Sequence, residues 1–172
     1  MQIAQQIVQN VNHETALAYV TLDYEGRFLR RKRLVTNTGE PFLVELPETV
    51  SLSSTDGFLL DDDRVIAIKA KPEKLLKVQH SNLPRIAWHI GNRHTPCQVG
   101  CDHLLIQEDH VMEGLLNLLG ADIEKLQAPF TPEGGAYGHG RTHSHSHNHS
   151  HNHSHQPTTA IDSADDNPNG LT

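Results

Sequence analysis

The feature that most limits how this chain can fold is an alternating histidine tract near its carboxyl end. Every second residue from His143 to His155 is histidine, with serine or asparagine between, and eight of the chain's 14 histidines lie between His139 and His155. A segment of this composition has no apolar surface to bury, so it cannot add to a hydrophobic core. Residues 138–172 are therefore predicted to form a disordered His-rich tail, and the residues before them must supply the fold.

The tract predicts metal binding. Imidazole in water has a pKa of about 6.5, so most such side chains are neutral and able to bind metal at pH 7. The candidate ligands of the tail are His139, His143, His145, His147, His149, His151, His153 and His155. An expression tag would be an unbroken terminal run, whereas this tract is interrupted and 17 residues follow it.

The spacing of the tract predicts a metal reservoir and argues against an enzyme site. Alternate residues of an extended strand lie about 6.5–7 Å apart, too far to share one metal through bonds of about 2 Å. The segment must bend to chelate, and serine and asparagine favour such turns. Imidazole ligands suit Ni²⁺, Zn²⁺ and Cu²⁺ alike, so metal selectivity must come from elsewhere in the chain.

Charge and hydropathy narrow the partners and the compartment. The formal net charge is −7, of which the tail carries −2 and the rest of the chain −5, so nothing draws the protein towards nucleic acid or membrane lipids. No apolar run approaches the roughly 18 residues of a membrane span. The first eight residues lack the basic and apolar regions of a signal peptide. These features predict a cytoplasmic protein.

The first 72 residues predict a small all-β domain. Apolar and polar residues alternate over 16–25, and two apolar runs flank an Asn-Thr-Gly turn within 34–46. Turn signals also precede short apolar runs at 58–60 and 64–70. Short strands at this spacing are typical of a β-sandwich or barrel. Pro72 marks the predicted boundary of this domain.

Four consecutive basic residues, Arg30, Arg31, Lys32 and Arg33, interrupt this β region. A basic run can mark a nucleic-acid patch. On a strand, however, alternate members point to opposite faces, and no aromatic residues lie between them for base stacking. A solvated edge or loop is the favoured interpretation, with docking of an acidic protein partner as an alternative.

Residues 73–137 predict a second domain of mixed α/β pattern. The predicted elements are a strand over 73–79, a helix capped by Asn82 and ending near Gly91, strands over 97–101 and 103–107, a helix capped by Asp109 and ending at Gly120, and a strand over 123–128. The order β-α-β-β-α-β is that of the ferredoxin-like split βαβ unit. The whole chain is thus predicted to be α+β.

Cys97 and Cys101 are the only cysteines. On a strand they lie about 13 Å apart, too far to share a metal or form a disulfide. Both are therefore predicted to face the core.

Three stretches together resemble the UreE family of urease accessory proteins, which are nickel metallochaperones. They are residues 88–94, residues 108–113, and residues 129–137 running into a His-rich end. The Gly-Asn-Arg-His unit at 91–94 is the most specific of these, and the resemblance covers the chain to His155. It implies a homodimer with an N-terminal domain like a chaperone peptide-binding domain and a ferredoxin-like C-terminal domain.

The resemblance also implies the site residues. His94 matches the family's nickel ligand, which pairs with the same residue of the second subunit. Four residues after Ile90, it is expected in the last turn of the helix. His139 is the tail histidine expected to join it. His110 matches a secondary metal ligand of some relatives, but those carry a second histidine where this chain has Glu108.

The function implied is a nickel-binding metallochaperone that collects Ni²⁺ and donates it during maturation of the urease metallocentre. Its expected partners are urease apoprotein and the urease accessory proteins, including the accessory GTPase. The alternative is a general Ni, Zn or Cu buffer without a delivery role. An enzyme is not expected, because the sequence contains neither a His-Glu-x-x-His set nor a nucleophile motif. His13, His80, His89 and His103 have no motif support and are interpreted as structural.

Overall fold

The structure is a computed structural model that describes residues 1–12 and 16–134. Within these residues the elements are, in order, β1 Gln2–Val8, β2 Ala18–Leu22, a 3-10 helix Glu25–Arg27, β3 Phe28–Val35, β4 Pro41–Ser51, β5 Gly57–Leu60, β6 Val65–Ala70, β7 Pro72–Gln79, α1 Leu83–Gly91, β8 Gln98–Val99, β9 Leu104–Gln107, α2 His110–Leu118 and β10 Asp122–Pro129. The predicted mixed α+β class is confirmed. No described helix is long and apolar enough to cross a membrane.

The first six strands form one sheet in the order β2-β6-β5-β1-β4-β3. The β1–β4 and β2–β6 pairs are parallel, and the other neighbours are antiparallel. All six strands contribute side chains to a single buried cluster, at whose centre the rings of Phe42 and Phe58 lie 5.7 Å apart. The sheet therefore curls around its own core.

The two edges of this sheet differ. At one edge, the Tyr19 N–H of β2 donates to Asn37 Oδ1 at 2.8 Å, and the Asn37 N–H donates back to the Tyr19 carbonyl at 2.9 Å. Asn37 lies in the predicted Asn-Thr-Gly turn, where Gly39 has a φ of +85° that glycine adopts without steric cost. At the other edge lies β3, whose residues 30–33 are all exposed. The predicted solvated edge is thus confirmed.

The remaining four strands form an antiparallel sheet in the order β10-β7-β9-β8. Both helices pack on one face of it, with Ile86 and Ile90 of α1 and Met112 and Leu116 of α2 in one buried cluster. The observed order of elements from β7 to β10 is the β-α-β-β-α-β order that the sequence predicts.

Local capping explains where the two helices begin. The Arg85 N–H donates to the Asn82 side chain at 3.2 Å, and the Met112 N–H donates to Asp109 Oδ1 at 2.7 Å. A short polar side chain at this position accepts from one of the N–H groups that the first helical turn leaves unpaired. Both predicted caps are therefore confirmed.

The opposite face of the second sheet packs against the 3-10 helix region of the first. Leu75, Leu105 and Phe130 are buried there, and the ring of Tyr24 meets that of Phe130 edge-on at 5.5 Å. The Arg27 guanidinium, only 2% exposed, donates to the Phe130 carbonyl oxygen. These contacts join the two sheets and fix the end of β10.

Glu73 extends this junction. Its Oε1 accepts the Tyr24 N–H at 2.7 Å, and its Oε2 accepts from Gln107 Nε2 at 2.8 Å. One carboxylate therefore ties the 3-10 helix region to two strands of the second sheet.

The prediction that both cysteines face the core is wrong for Cys101. Cys97 is half-buried and packs against the helices, whereas Cys101 is exposed. The reason is that β8 contains only Gln98 and Val99, so Cys101 lies in the turn before β9 and not on a strand.

Candidate functional site

His94 lies just beyond α1. The helix ends at Gly91, and residues 92–94 form a turn in which His94 is exposed. The expectation that His94 lies in the last helical turn and extends its apolar stripe is therefore wrong. The physical reason is the way in which the backbone ends the helix.

Two hydrogen bonds define that ending. The His94 N–H donates to the Gly91 carbonyl at 2.9 Å, and the Thr95 N–H donates to the Ile90 carbonyl at 3.4 Å. His94 has a φ of 55°, in the left-handed region. This combination is a Schellman motif, whose left-handed position is usually glycine.

A histidine at this position is a strained choice. The left-handed conformation costs a residue with a Cβ roughly 1–2 kcal/mol. The other described non-glycine residues with positive φ are Asn10 and Asp63. Asparagine, aspartate and histidine are the non-glycine residues found most often in this region. The turn thus fixes an exposed imidazole just beyond the end of α1.

The last turn of α1 carries an exposed aromatic side chain. Trp88 of α1 is 63% exposed, and its ring meets that of His89 edge-on at 5.0 Å. Tryptophan is enriched in protein interfaces relative to other surfaces. Trp88 lies off the apolar stripe formed by Leu83, Ile86, Ala87 and Ile90, and this position is the sequence signal for its exposure. The last turn of α1 and the turn that follows it therefore present an exposed indole and an exposed imidazole.

One chain does not complete a metal site within its described part. No group of three or more histidine, cysteine, aspartate or glutamate side chains in residues 1–12 and 16–134 is arranged to hold a metal. Any metal bound at His94 must therefore take its remaining ligands from water, from another molecule or from residues outside those ranges.

The chain's exit from the second sheet lies close to His94. The Glu133 N–H donates to the Cys97 carbonyl at 2.9 Å, and the Thr131 N–H donates to Gln98 Oε1 at 2.8 Å. The segment after β10 is thus fixed alongside residues 97 and 98, only three residues beyond His94. The chain therefore continues towards the histidine tract from a point near the end of α1.

Cys97 is poorly suited to bind metal in this region. Burial raises the pKa of its thiol to about 11, and the charge of Glu133 adds to the effect. The thiolate, not the thiol, is the metal ligand. The thiol therefore stays protonated at neutral pH.

His110 is the first residue of α2 and is exposed. The neighbouring Glu108 is paired with Lys125 at 3.1 Å, and Lys125 also binds Glu113 at 2.9 Å. The hydrogen bond of Lys125 to Glu113 raises the pKa of its ammonium group most, and the hydrogen bond to Glu108 raises this pKa further. The ammonium group therefore stays charged. A metal using Glu108 with His110 would have to displace this lysine. The secondary site stays a prediction.

The other described histidines have local contacts. His80 Nδ1 accepts the Asn82 N–H at 2.8 Å, and His103 Nδ1 lies 2.7 Å from Asp102 Oδ1. His13 and all eight predicted tail ligands lie outside the described residues, namely His139, His143, His145, His147, His149, His151, His153 and His155.

A cleft of about 500 Å³ opens on the first sheet, and its lining includes neither His94 nor His110. Its lining is largely apolar, and Val11, Leu17 and Val65 contribute to it. At its rim Arg64 binds both carboxylate oxygens of Glu40 at 2.7 and 2.8 Å. This hydrogen bonding holds the pKa of Glu40 below its usual value. The cleft had no motif in the sequence, and among the described residues it holds no group of three or more histidine, cysteine, aspartate or glutamate side chains that could bind a metal.

Comparisons with known proteins cover both sheets. Residues 4–71 match the N-terminal domain of the UreE urease accessory protein, and residues 63–156 match its C-terminal domain. A protein of Ruegeria pomeroyi named urease accessory protein UreE is 56% identical over 123 residues, which are 72% of this chain and 83% of the relative. Proteins of the same name from Rhodobacter capsulatus and Bradyrhizobium sp. are 53% and 39% identical over 127 residues, covering 74% and 72% of this chain and 81% and 62% of the relatives.

Proposed function

The chain belongs to the UreE family of urease accessory proteins, and on that premise we propose that it is a nickel metallochaperone. It collects Ni²⁺ and donates the ion during maturation of the urease metallocentre. The observation that carries the proposal is His94, an exposed imidazole in the left-handed turn that ends α1, whose last helical turn carries the exposed Trp88. A chain that served only as a metal buffer would need neither this turn nor the two sheets.

The proposed site forms between two copies of the chain. An isologous contact brings two copies of the same residue together at the symmetry axis. Docking through the Trp88 surface would place two His94 imidazoles near one axis, and burying this ring would contribute to dimer stability. Two imidazoles leave half of a tetrahedral site open, so the ion stays exchangeable.

His139 is the proposed third ligand. It is six positions after Glu133, and six residue steps span at most about 20 Å. Cys97, whose carbonyl binds the Glu133 N–H, is only three positions after His94. Three residues span at most about 11 Å. The exit segment thus starts close enough for His139 to reach His94, and the later histidines serve as a reservoir.

The proposed setting follows from the family. The partners are urease apoprotein and urease accessory proteins including the accessory GTPase, and the compartment is the cytoplasm. Residues 1–72 are assigned as a partner-binding β domain, residues 73–137 as a ferredoxin-like metal-binding and dimerisation domain, and residues 138–172 as the metal-collecting tail. The antiparallel strand order β10-β7-β9-β8 with both helices on one face supports the ferredoxin-like assignment.

Calorimetric nickel titration tests the site. His94→Ala removes the tight site, while deletion of residues 139–172 lowers the number of ions bound and leaves a tight site in place. His103→Ala is the matched control, because its imidazole bonds only its neighbour Asp102 among the described residues. Retention of the tight site in His94→Ala would place it elsewhere.

Activation of urease in a reconstituted system at limiting nickel tests delivery. The unaltered protein raises the yield of active urease, and a chain carrying both changes does not. If the doubly changed chain supports activation as well as the unaltered one, the protein is a buffer and the delivery role is wrong.

A further inference from the structure

Within the part of the chain that the structure describes, β3 forms a long open edge of the first sheet. At β2, Asn37 occupies both the N–H and the carbonyl of Tyr19. At the other edge, β3 pairs with β4 alone, and within the described residues no other backbone hydrogen bond reaches Leu29–Val35. An edge of this kind presents a row of N–H and carbonyl groups that can pair with an added strand.

This open edge carries a concentrated positive charge. Arg30–Arg33 supply four of the chain's 14 basic residues, and without them the net charge of −7 would be −11. Arg31 lies 3.2 Å from Glu45, with 69% and 41% of the two side chains exposed, so the pair is well screened by solvent. The other three cations form no ion pair among the described residues. Arg30, Lys32 and Arg33 thus leave the strand positively charged, and only Arg31 is paired.

The charges lie on both faces of the strand. Directly opposite residues of paired strands share a face. Lys32 is opposite the buried Val44, whereas Arg33 is opposite Leu43 on the outer face. An extended segment added outside β3 would therefore meet cations on each face, at the strand separation of about 4.8 Å.

Edge charges also protect sheets from pairing with copies of themselves, and a single lysine or a bulge serves that purpose. β3 has both a register irregularity between Leu29 and Arg31 and four cations. These features are more than the protection of an edge strand requires. We propose that the outer edge of β3 docks an extended acidic segment of another protein, which adds a strand and sets carboxylates opposite Arg30, Lys32 and Arg33. This docking needs no metal and so is independent of the proposed nickel site.

Fluorescence anisotropy with a short labelled oligoglutamate peptide, which carries carboxylates on both faces when extended, tests the proposal on the full chain. The unaltered protein binds the peptide, and raising the salt concentration weakens binding. The variant Lys32→Glu/Arg33→Glu loses about tenfold or more in affinity, because like charges now face each other across the added strand. The matched control Lys71→Glu/Lys74→Glu makes the same charge change at exposed positions and keeps the affinity. Equal losses in the two variants would overturn the proposal.

Two further measurements separate strand addition from simple charge attraction. Two peptides are methylated at every second backbone nitrogen, one at the odd positions and one at the even positions. Both keep their charge but lack half of the N–H groups that would donate to the neighbouring strand. At least one of the two must fail to bind. A single-stranded oligonucleotide of equal charge must bind more weakly than the peptide. Undiminished binding of both methylated peptides, or tighter binding of the oligonucleotide, would overturn the proposal. If Lys32→Glu/Arg33→Glu does not fold, the variant Arg30→Gln/Arg33→Gln is measured in its place.

Discussion

At the end of α1, the residue at the left-handed position decides both the shape of the turn and its chemistry. Glycine would fit the backbone better, because it has no Cβ to clash with the following carbonyl. Only a side chain with a donor atom can bind a metal. His94 therefore places an imidazole, the proposed ligand, at a point where the backbone favours glycine.

We expect His94→Gly to separate these two requirements. Relief of the left-handed strain should raise the free energy of unfolding of the metal-free protein by about 1 kcal/mol. The same change should abolish the tight nickel site. Urea denaturation of His94→Gly and His94→Ala compares the two, since alanine keeps the Cβ and the strain. Equal midpoints for both variants would show that the turn is unstrained.

At the scale of the elements, the sequence predicts those structural features that are determined by residues close together in the chain. Asn82 and Asp109 are recognisable caps because each side chain bonds an N–H three residues ahead. The position of His94 was mispredicted because a histidine in a glycine-type position carries no local signal. Cys101 was mispredicted because β8 is only two residues long. The turns predicted at Gly39 and Gly120 are confirmed, since both glycines have positive φ.

The cap of α1 offers a test at this scale. Asn82→Ala leaves the Arg85 N–H without its acceptor and should lower the free energy of unfolding by about 1 kcal/mol. Asn82→Ser supplies an equivalent acceptor and should restore most of the loss. Thermal melts of the three proteins measure the difference. An alanine variant as stable as the serine variant would mean that the cap contributes nothing.

At the scale of the whole molecule, the decisive contacts join residues that are far apart in the sequence. Arg27 bonds the carbonyl of Phe130, and Tyr24 bonds Glu73. Nothing in the residues near position 27 indicates that its guanidinium will be buried against a strand a hundred residues later. The packing of the two sheets, and hence the path of the exit segment past Cys97, could not be predicted from local patterns.

We expect Arg27→Met to weaken this junction. The apolar stem is kept, but the Phe130 carbonyl loses a charged donor, which should cost about 2–3 kcal/mol of stability. Denaturant titration, monitored through the fluorescence of Trp88 beside His89 in α1, should show this loss of stability. Arg31→Met at the exposed edge is the control and should change little. Similar midpoints for Arg27→Met and the unaltered protein would show that the buried guanidinium does not stabilise the junction.

The pairing of β1 has a consequence for the order in which the chain folds during synthesis. Its first residue, Gln2, pairs with Phe42, and its last, Val8, pairs with Gly57, so both partner strands are made after it. At a translation rate of about 5–20 residues per second, β1 waits several seconds before either neighbour exists. Non-local pairing of this kind also makes sheet formation slow. β1 is therefore a strand without a sheet partner until β4, Pro41–Ser51, has left the ribosome.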